Sequence, residues 1–301
     1  MRIGVLGVGA VGILLATRLS LTKNKIICLG SKKFKKHVMS RGITLKSEVY
    51  GNKQISPNTV LKEGKVDILF ISVKGTKLSE ALEDYKHLLS KDTIAISLLN
   101  GMDYRETIRK QFRLKLIVGS IGSLEVFINK IGEAIHKSTS NPIIELATSE
   151  TNLNKDMILI NNLLNEIGIN SSIRNNEEEV IWRKLSRLTA ISTITSMYDS
   201  SIGFALRNSE SKQTLLKIID EICLINAKIG TQLNSEDIFK NISSLPYNLK
   251  TSMQRDINLN KESEIDYILK APLKFGEKLG LDLPVMKHCY EVLIQKIRAK
   301  N

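Results

Sequence analysis

The run Gly7-Val8-Gly9-Ala10-Val11-Gly12, a GxGxxG, constrains this chain more than any other feature. It follows an apolar, β-rich stretch at residues 2–6 and opens into residues 11–20, where apolar side chains recur at three- and four-residue steps. That context reads as a turn from a strand into a helix. Gly7 then permits the tight turn, Gly9 lets the backbone approach a pyrophosphate, and Gly12 allows close packing of helix on strand. The free N–H groups of the helix start suit the anion, so a dinucleotide is expected across Gly7, Val8, Gly9, Ala10, Val11 and Gly12. The opening MRIGVLGVGAVG has one Arg and an apolar stretch, as a secretory signal does, but its glycines favour the strand and turn.

The alternation continues. Strands are expected at 2–6, 25–29, 66–73, 93–98 and 116–120, with helices at 11–20 and 78–89 between them, the pattern of βαβ units in a parallel, doubly wound sheet. Segments around 134–136 and 143–147 read as additional edge strands, and 157–167 as a covering helix. From Glu177 the β-rich runs stop and long helical periods take over, at 178–198, 209–229, 235–240, 262–279 and 284–297. Pro284 sits in a first turn and Gly280 serves as a C-cap. The fold class is therefore α/β, with an N-terminal Rossmann domain at 1–175 followed by an all-helical C-terminal domain at 176–301. A length of 301 residues suits two cores.

Bulk composition narrows the function. Hydrophobic content of 42% and charged content of 25% are those of soluble globular proteins, and no apolar run reaches membrane-span length. The net charge of +13 raises the question of nucleic acid. Lysines are spread along the chain, aromatics are few, and no stacking motif interleaves them, so neither a nucleic-acid nor a membrane partner is expected. The KKFKK run at 32–36 is the one dense patch, and a solvated surface is the default reading for it. Cys28, Cys223 and Cys289 lie far apart and odd in number, which fits a reducing cytoplasm. His37, His87, His136 and His288 form no ligand-spaced cluster with them, so no metal is expected. No nucleophile elbow appears, which disfavours hydrolysis.

An NAD-preferring turn carries an Asp or Glu about 20 residues on, for the ribose 2′-hydroxyl. None is present here. The second strand ends in Leu29-Gly30-Ser31-Lys32-Lys33, where a hydroxyl and cations suit a 2′-phosphate, so NADP (NADPH) is favoured. The alternative, that Lys32 and Lys33 only face solvent, leaves the preference open. Lys74 and Asn100-Gly101 mark the C-terminal ends of two further strands, where open α/β sheets bind ligands. An Asn there can both donate and accept, although Asn-Gly alone reads as a turn.

VKG at Val73 to Gly75, LNGM at Leu99 to Met102, WRKL at Trp182 to Leu185, and SM-x-x-D-I from Ser252 followed twelve residues later by Glu264 within SEIDY together resemble the ketopantoate reductase (2-dehydropantoate 2-reductase) family over nearly the whole chain. The resemblance implies that Lys184 is the catalytic lysine and also meets substrate. It further implies that Glu264 holds a cofactor ribose and orients the site, that Ser252 contacts the substrate carboxylate, and that Lys74 and Asn100 line the cofactor and substrate cleft. The chemistry agrees: hydride delivery to a keto carbon builds negative charge on oxygen, and a cation that can release a proton answers it.

Three positions depart from the family. Four and eight residues after the lysine, on one helical face, the family presents Asn residues to hold the substrate. Here the substrate-facing positions are Leu188 and Ser192. Leu188 forms no hydrogen bond and Ser192 is shorter than Asn, which points to a more apolar 2-keto acid. Arg187 reads equally as a carboxylate clamp or a surface residue. Three residues before Ser252, where the family offers another Asn, stands Leu249, with Asn248 beside it. The expected function is NADPH-dependent reduction of 2-dehydropantoate in pantothenate biosynthesis, in the cytoplasm, with a homodimer as the base-rate expectation. The alternatives are a reductase of the same family acting on another small 2-keto acid, and a non-catalytic NADP(H)-sensing protein.

Overall fold

Strand β1 (Arg2–Leu6) is paired in parallel with β2 (Lys25–Leu29), and α1 (Ala10–Leu19) connects them. The computed structural model describes residues 1–59, 63–122, 124–231 and 233–299. After β2 the chain forms α2 (Lys32–Arg41), then a hairpin of β3 (Ile43–Ser47) and β4 (Gly51–Ile55). It returns to the sheet as β5 (Ile68–Ile71), α3 (Leu78–Asp84) and β6 (Ile94–Ser97). A short helix α4 (Tyr104–Glu106) runs on as a π-helical turn (Thr107–Gln111) into β7 (Lys115–Gly122). Next come β8 (Val126–Ile128), β9 (Ala134–His136), β10 (Ile143–Ala147), α5 (Asn154–Glu166) and β11 (Asn170–Ile173).

The main sheet runs β11-β10-β7-β6-β5-β1-β2. Strands β2, β1, β5, β6 and β7 are parallel, with registers such as Val5↔Cys28, Leu6↔Ile71 and Ile71↔Ser97. Their residues are buried almost throughout, as parallel strands covered on both faces must be. Strand order reverses between β1 and β5, so the glycine turn after β1 and the segment Ser72 to Lys74 after β5 meet at the switch point of the sheet.

Two expectations about edge strands are corrected. Ala134–His136 does not extend this sheet; it belongs to a second one, ordered β4-β3-β9-β8. There it lies in parallel on β3, with Leu45↔Ala134, and antiparallel to β8, with Val126↔His136, because the β3-β4 hairpin leaves the other side of β3 open for pairing. Ile143–Ala147 does join the main sheet, antiparallel to β7, but as an interior strand, because the polar β11 pairs outside it. The outward N–H and C=O of Ser171 on β11 are taken by the side-chain amide of Asn165, at 2.9 and 3.1 Å. A side chain thus closes part of the open edge.

The second compact unit holds α6 (Glu177–Met197), α7 (Ile202–Arg207), α8 (Ser209–Lys228), α9 (Ser235–Ser243) and α10 (Ser252–Asn258). A π-helical turn (Asp266–Lys270) leads into α11 (Ala271–Lys278), and α12 (Pro284–Arg298) follows. One helix over 262–279 was expected; helical structure begins later, at Asp266, and its first five residues are π-helical. Pro272 offers no N–H to an α-helical ladder there. Trp182, fully buried on α6, packs against Phe275 at 5.6 Å between ring centroids. Glu221 of α8 accepts from the Val285 and Met286 N–H groups, both at 2.8 Å, and so caps α12.

By internal contacts the chain divides into Met1–Leu99 with Tyr104–Val180, and Asn100–Asp103 with Ile181–Asn301. The first turn of α6 stays with the sheet unit because Glu177 accepts from Arg109 at 3.0 Å and from the Ser149 N–H at 2.8 Å. Asn100–Asp103, separated from the end of β6 by two residues, counts with the helices. Among the described residues no helix is long and apolar enough to cross a membrane.

Candidate active site

The glycine turn separates what the fold requires from what a ligand would require. Gly7 has φ +88°, and a Cβ there would lie 2.5 Å from the Val73 backbone nitrogen. At Gly12 a Cβ would lie 2.2 Å from the Gly7 carbonyl oxygen. Both positions are held to glycine by backbone. Gly9 is different: a Cβ there would meet nothing within 4 Å. Gly9 is exposed and N-caps α1 with no side-chain hydrogen bond, so this open cradle fits a pyrophosphate. Val8, Ala10 and Val11 are half-buried around it.

Beside the turn, the Gly7 N–H donates to the Leu29 carbonyl at 2.9 Å, joining it to the end of β2. Ser31 caps α2 by accepting from the Phe34 N–H at 3.2 Å, which leaves its own hydroxyl proton available. Lys32 and Lys33 stand exposed in the first turn of α2, which contains no acid. Lys74 is exposed in the loop after β5. The KKFKK run is therefore the start of a helix, which its polar composition had concealed.

In the helical unit, Asn100 Nδ2 donates to Glu264 Oε2 at 2.9 Å. Glu264 is buried, just ahead of the π-helical turn. Gly101, at φ +88°, brings its backbone so close to Tyr267 that a Cβ would lie 2.9 Å from the Tyr267 carbonyl oxygen. Lys184 lies half-buried on α6. Burial pushes its ammonium down from 10.5 to about 8; the Glu264 charge pulls it up and Arg187 pushes it further down. A lysine in this state exists in both protonation forms near neutral pH, as a proton-transfer group requires.

The structure thus groups Lys184, Glu264, Asn100 and Arg187. Leu188 and Ser192 follow Lys184 at four-residue steps on α6. Leu188 is half-buried, whereas Ser192 is fully buried and its hydroxyl, like those of Thr193 and Ser196, finds no hydrogen-bond partner among the described residues. Ser252 is exposed at the first residue of α10, and no hydrogen bond links it to Lys184, Asn100 or Glu264 among the described residues. Asn248 is exposed, and Leu249 is half-buried with its carbonyl accepting from Ile202. The neighbour that sequence reading missed is Thr251, buried and hydrogen-bonded to Thr195 at 2.9 Å. Its signal was the Thr251-x-x-Gln254 capping pattern, and Thr251 does accept from the Gln254 N–H at 3.3 Å. No cluster of His, Cys, Asp or Glu able to hold a metal ion occurs among the described residues.

Comparison with known proteins gives two family models in tandem. Residues 3–147 match "Ketopantoate reductase PanE/ApbA" and residues 176–297 its C-terminal counterpart. An "Uncharacterized oxidoreductase YkpB" of Bacillus subtilis (strain 168) is 24% identical, covering 96% of this chain and 97% of its own length. A 2-dehydropantoate 2-reductase of Streptococcus pyogenes serotype M1 is likewise 24% identical, over 100% of this chain and 99% of its own. Among solved structures, D-mandelate dehydrogenase in a ternary complex with NADH and anilino(oxo)acetate superposes with a TM-score of 0.89. It is 21% identical and covers 99% of both chains, a likeness of fold.

Proposed function

Because this chain belongs to the ketopantoate reductase family, we propose that it reduces a small 2-keto acid to the 2-hydroxy acid with NADPH, Lys184 delivering the proton. The observation that carries the proposal is a half-buried lysine held near pH 8, next to a buried carboxylate that itself holds Asn100. NADPH held at the glycine turn would supply the hydride to the keto carbon from its dihydronicotinamide ring. Lys184 then has two tasks: its charge offsets the oxyanion as it forms, and its Nζ proton completes the hydroxyl. Glu264 favours the protonated lysine in the ground state and fixes the Asn100 amide, whose part in this reading is to orient a keto or carboxylate oxygen.

For the cofactor, Gly9 offers the pyrophosphate cradle, and Ser31, Lys32 and Lys33 offer donors and charge to a 2′-phosphate. The first substrate to consider is 2-dehydropantoate, whose reduction would place the enzyme in pantothenate formation in the cytoplasm. A second reading rests on Leu188, whose side chain offers no hydrogen bond to a substrate hydroxyl: the acid then carries an apolar side chain, as suits a fold shared with D-mandelate dehydrogenase.

The test is nicotinamide oxidation by the purified protein, followed by absorbance, with 2-dehydropantoate and a panel of other 2-keto acids. Turnover confined to 2-dehydropantoate supports the first reading, and preference for an aromatic or branched acid supports the second. Tight NADPH binding without turnover of any acid would sink both.

A further inference from the structure

The turn that follows β1 is held from another strand by a single hydroxyl. Gly7 has both of its main-chain polar groups engaged: its N–H donates to the Leu29 carbonyl at 2.9 Å, and its carbonyl accepts from the Ser72 hydroxyl at 2.8 Å. Ser72 directly follows β5, and its own N–H donates to the Leu6 carbonyl at 2.8 Å, so the serine is itself fixed against the end of β1. The Gly7 oxygen is directed into the packing of α1 on the sheet. A Cβ at Gly12, a buried residue in the first turn of α1, would lie 2.2 Å from that oxygen and 3.0 Å from Ser72 Oγ. Among the described residues Ser72 is the only group that donates to the Gly7 carbonyl.

A trans peptide points its C=O and its N–H to opposite sides. The Gly7–Val8 peptide, with its oxygen turned inward to Ser72, therefore turns the Val8 N–H away from the packing of α1. Among the described residues the N–H groups of Val8 and Gly9 donate to no acceptor, and Gly9 is exposed with open space around it. Successive outward N–H groups make a concavity suited to an anion. Gly7, at φ +88° and without a Cβ, does little from its own side to hold this peptide in one orientation. A carbonyl left inward without a donor is costly and is drawn toward water. Water at this turn lies on the exposed side, at Gly9, where a carbonyl oxygen would repel a pyrophosphate.

We propose that Ser72 is a positioning residue for the dinucleotide: its hydroxyl holds the Gly7 carbonyl under α1, so that the glycine turn offers N–H groups and no carbonyl oxygen to the pyrophosphate. The inference rests on the dinucleotide reading of that turn and adds to it a side chain from the end of β5. Ser72 acts through Gly7 and need not touch the cofactor. The glycines allow the backbone to approach an anion; the serine selects which side of the peptide the anion meets. A serine that served the fold alone would, on losing its hydroxyl, weaken every nucleotide alike. This one weakens those that carry the pyrophosphate.

The experiment compares two nucleotides that differ in the pyrophosphate and lack the nicotinamide, so that catalysis does not enter. ADP-ribose 2′-phosphate is titrated calorimetrically, and 2′-AMP by its displacement, into the wild type, Ser72→Ala and Ser72→Thr, each well below its own Tm. In Ser72→Ala the affinity for ADP-ribose 2′-phosphate should fall roughly fivefold, the worth of about one hydrogen bond, while that for 2′-AMP holds. Ser72→Thr keeps the hydroxyl and should recover the wild-type ratio. In the wild type the Val8 and Gly9 amide signals, followed by NMR, should shift with ADP-ribose 2′-phosphate and stay in place with 2′-AMP. Equal weakening of both nucleotides in Ser72→Ala, an unchanged affinity for both, or a Val8 signal that ADP-ribose 2′-phosphate leaves unmoved overturns the inference while leaving the dinucleotide reading intact. A wild type that binds neither nucleotide, or gains nothing from the pyrophosphate, overturns the dinucleotide reading, and the role of Ser72 falls with it.

Discussion

Asn100 and Glu264 are separated by 164 positions in sequence and joined by a hydrogen bond of 2.9 Å. One lies three residues beyond the end of β6 and the other precedes a π-helical turn. Gly101 makes the approach feasible, since any side chain there would collide with the Tyr267 carbonyl. The Asn-Gly pair thus divides the work of one contact: glycine permits the approach and asparagine makes the hydrogen bond. Glu264 in turn sets the charge environment of Lys184.

In the proposed reaction the proton comes from the ammonium form of Lys184, whose pKa is depressed to about 8. We therefore expect kcat/KM for the keto acid to fall as pH rises through about 8, while oxidation of the hydroxy acid gains over the same range. Glu264 raises that pKa and Arg187 lowers it. Glu264→Gln should move the alkaline limb of the reduction profile to lower pH and Arg187→Met should move it to higher pH. Shifts of the same sign in both variants would contradict the assignment.

Replacing Lys184 by Ala removes both charge and proton. Turnover should drop by a factor on the order of 10²–10⁴, with NADPH affinity measured by fluorescence titration nearly unchanged. A comparable loss of affinity would mean that the lysine serves binding and not the chemical step.

Gly9 and Gly12 should respond oppositely to the same substitution. Gly12→Ala pushes a methyl to 2.2 Å from the Gly7 carbonyl and should destabilise the fold by about 1–3 kcal/mol, read as a lowered Tm. Gly9→Ala meets no atom within 4 Å, so Tm should hold while the dinucleotide Kd weakens roughly tenfold, about 1.4 kcal/mol. A fall in Tm for Gly9→Ala would show that its openness serves the fold.

Leu188→Asn places an amide one helical turn beyond Lys184. If Leu188 tunes the pocket toward apolar acids, the variant should gain roughly fivefold in kcat/KM for 2-dehydropantoate relative to a keto acid of similar size lacking the hydroxyl, as one hydrogen bond provides. An unchanged ratio would remove Leu188 from the substrate contacts.

Much of the sheet was legible because its signals are local. Residues 2–6, 25–29 and 143–147 read as strands at their observed limits, since β-branched and apolar runs bounded by turn residues report burial directly. Helix α2 was not legible: its lysines mask the apolar positions, and only Val38 of its ten residues is buried. Strand β11, Asn-Ser-Ser-Ile, was missed because it is a polar edge strand that the Asn165 side chain helps to pair. Thr251 was missed beside Ser252 because only packing decides which of two adjacent hydroxyls turns inward.

The sequence by itself determined the glycine turn, the alternation that makes a parallel sheet, the passage to helices near residue 177, and the lysine that the family pattern singles out. These are readable because each depends on spacing along one element, where period and steric size dictate the answer. Only the tertiary structure decided that Asn100 holds Glu264, that burial lowers Lys184 against the pull of Glu264, and that Ser72 takes the Gly7 carbonyl. A hydrogen bond or a desolvated charge depends on distances of a few ångströms between residues far apart in the chain. Periodicity fixes which way a side chain leaves its own element but not which partner it finds.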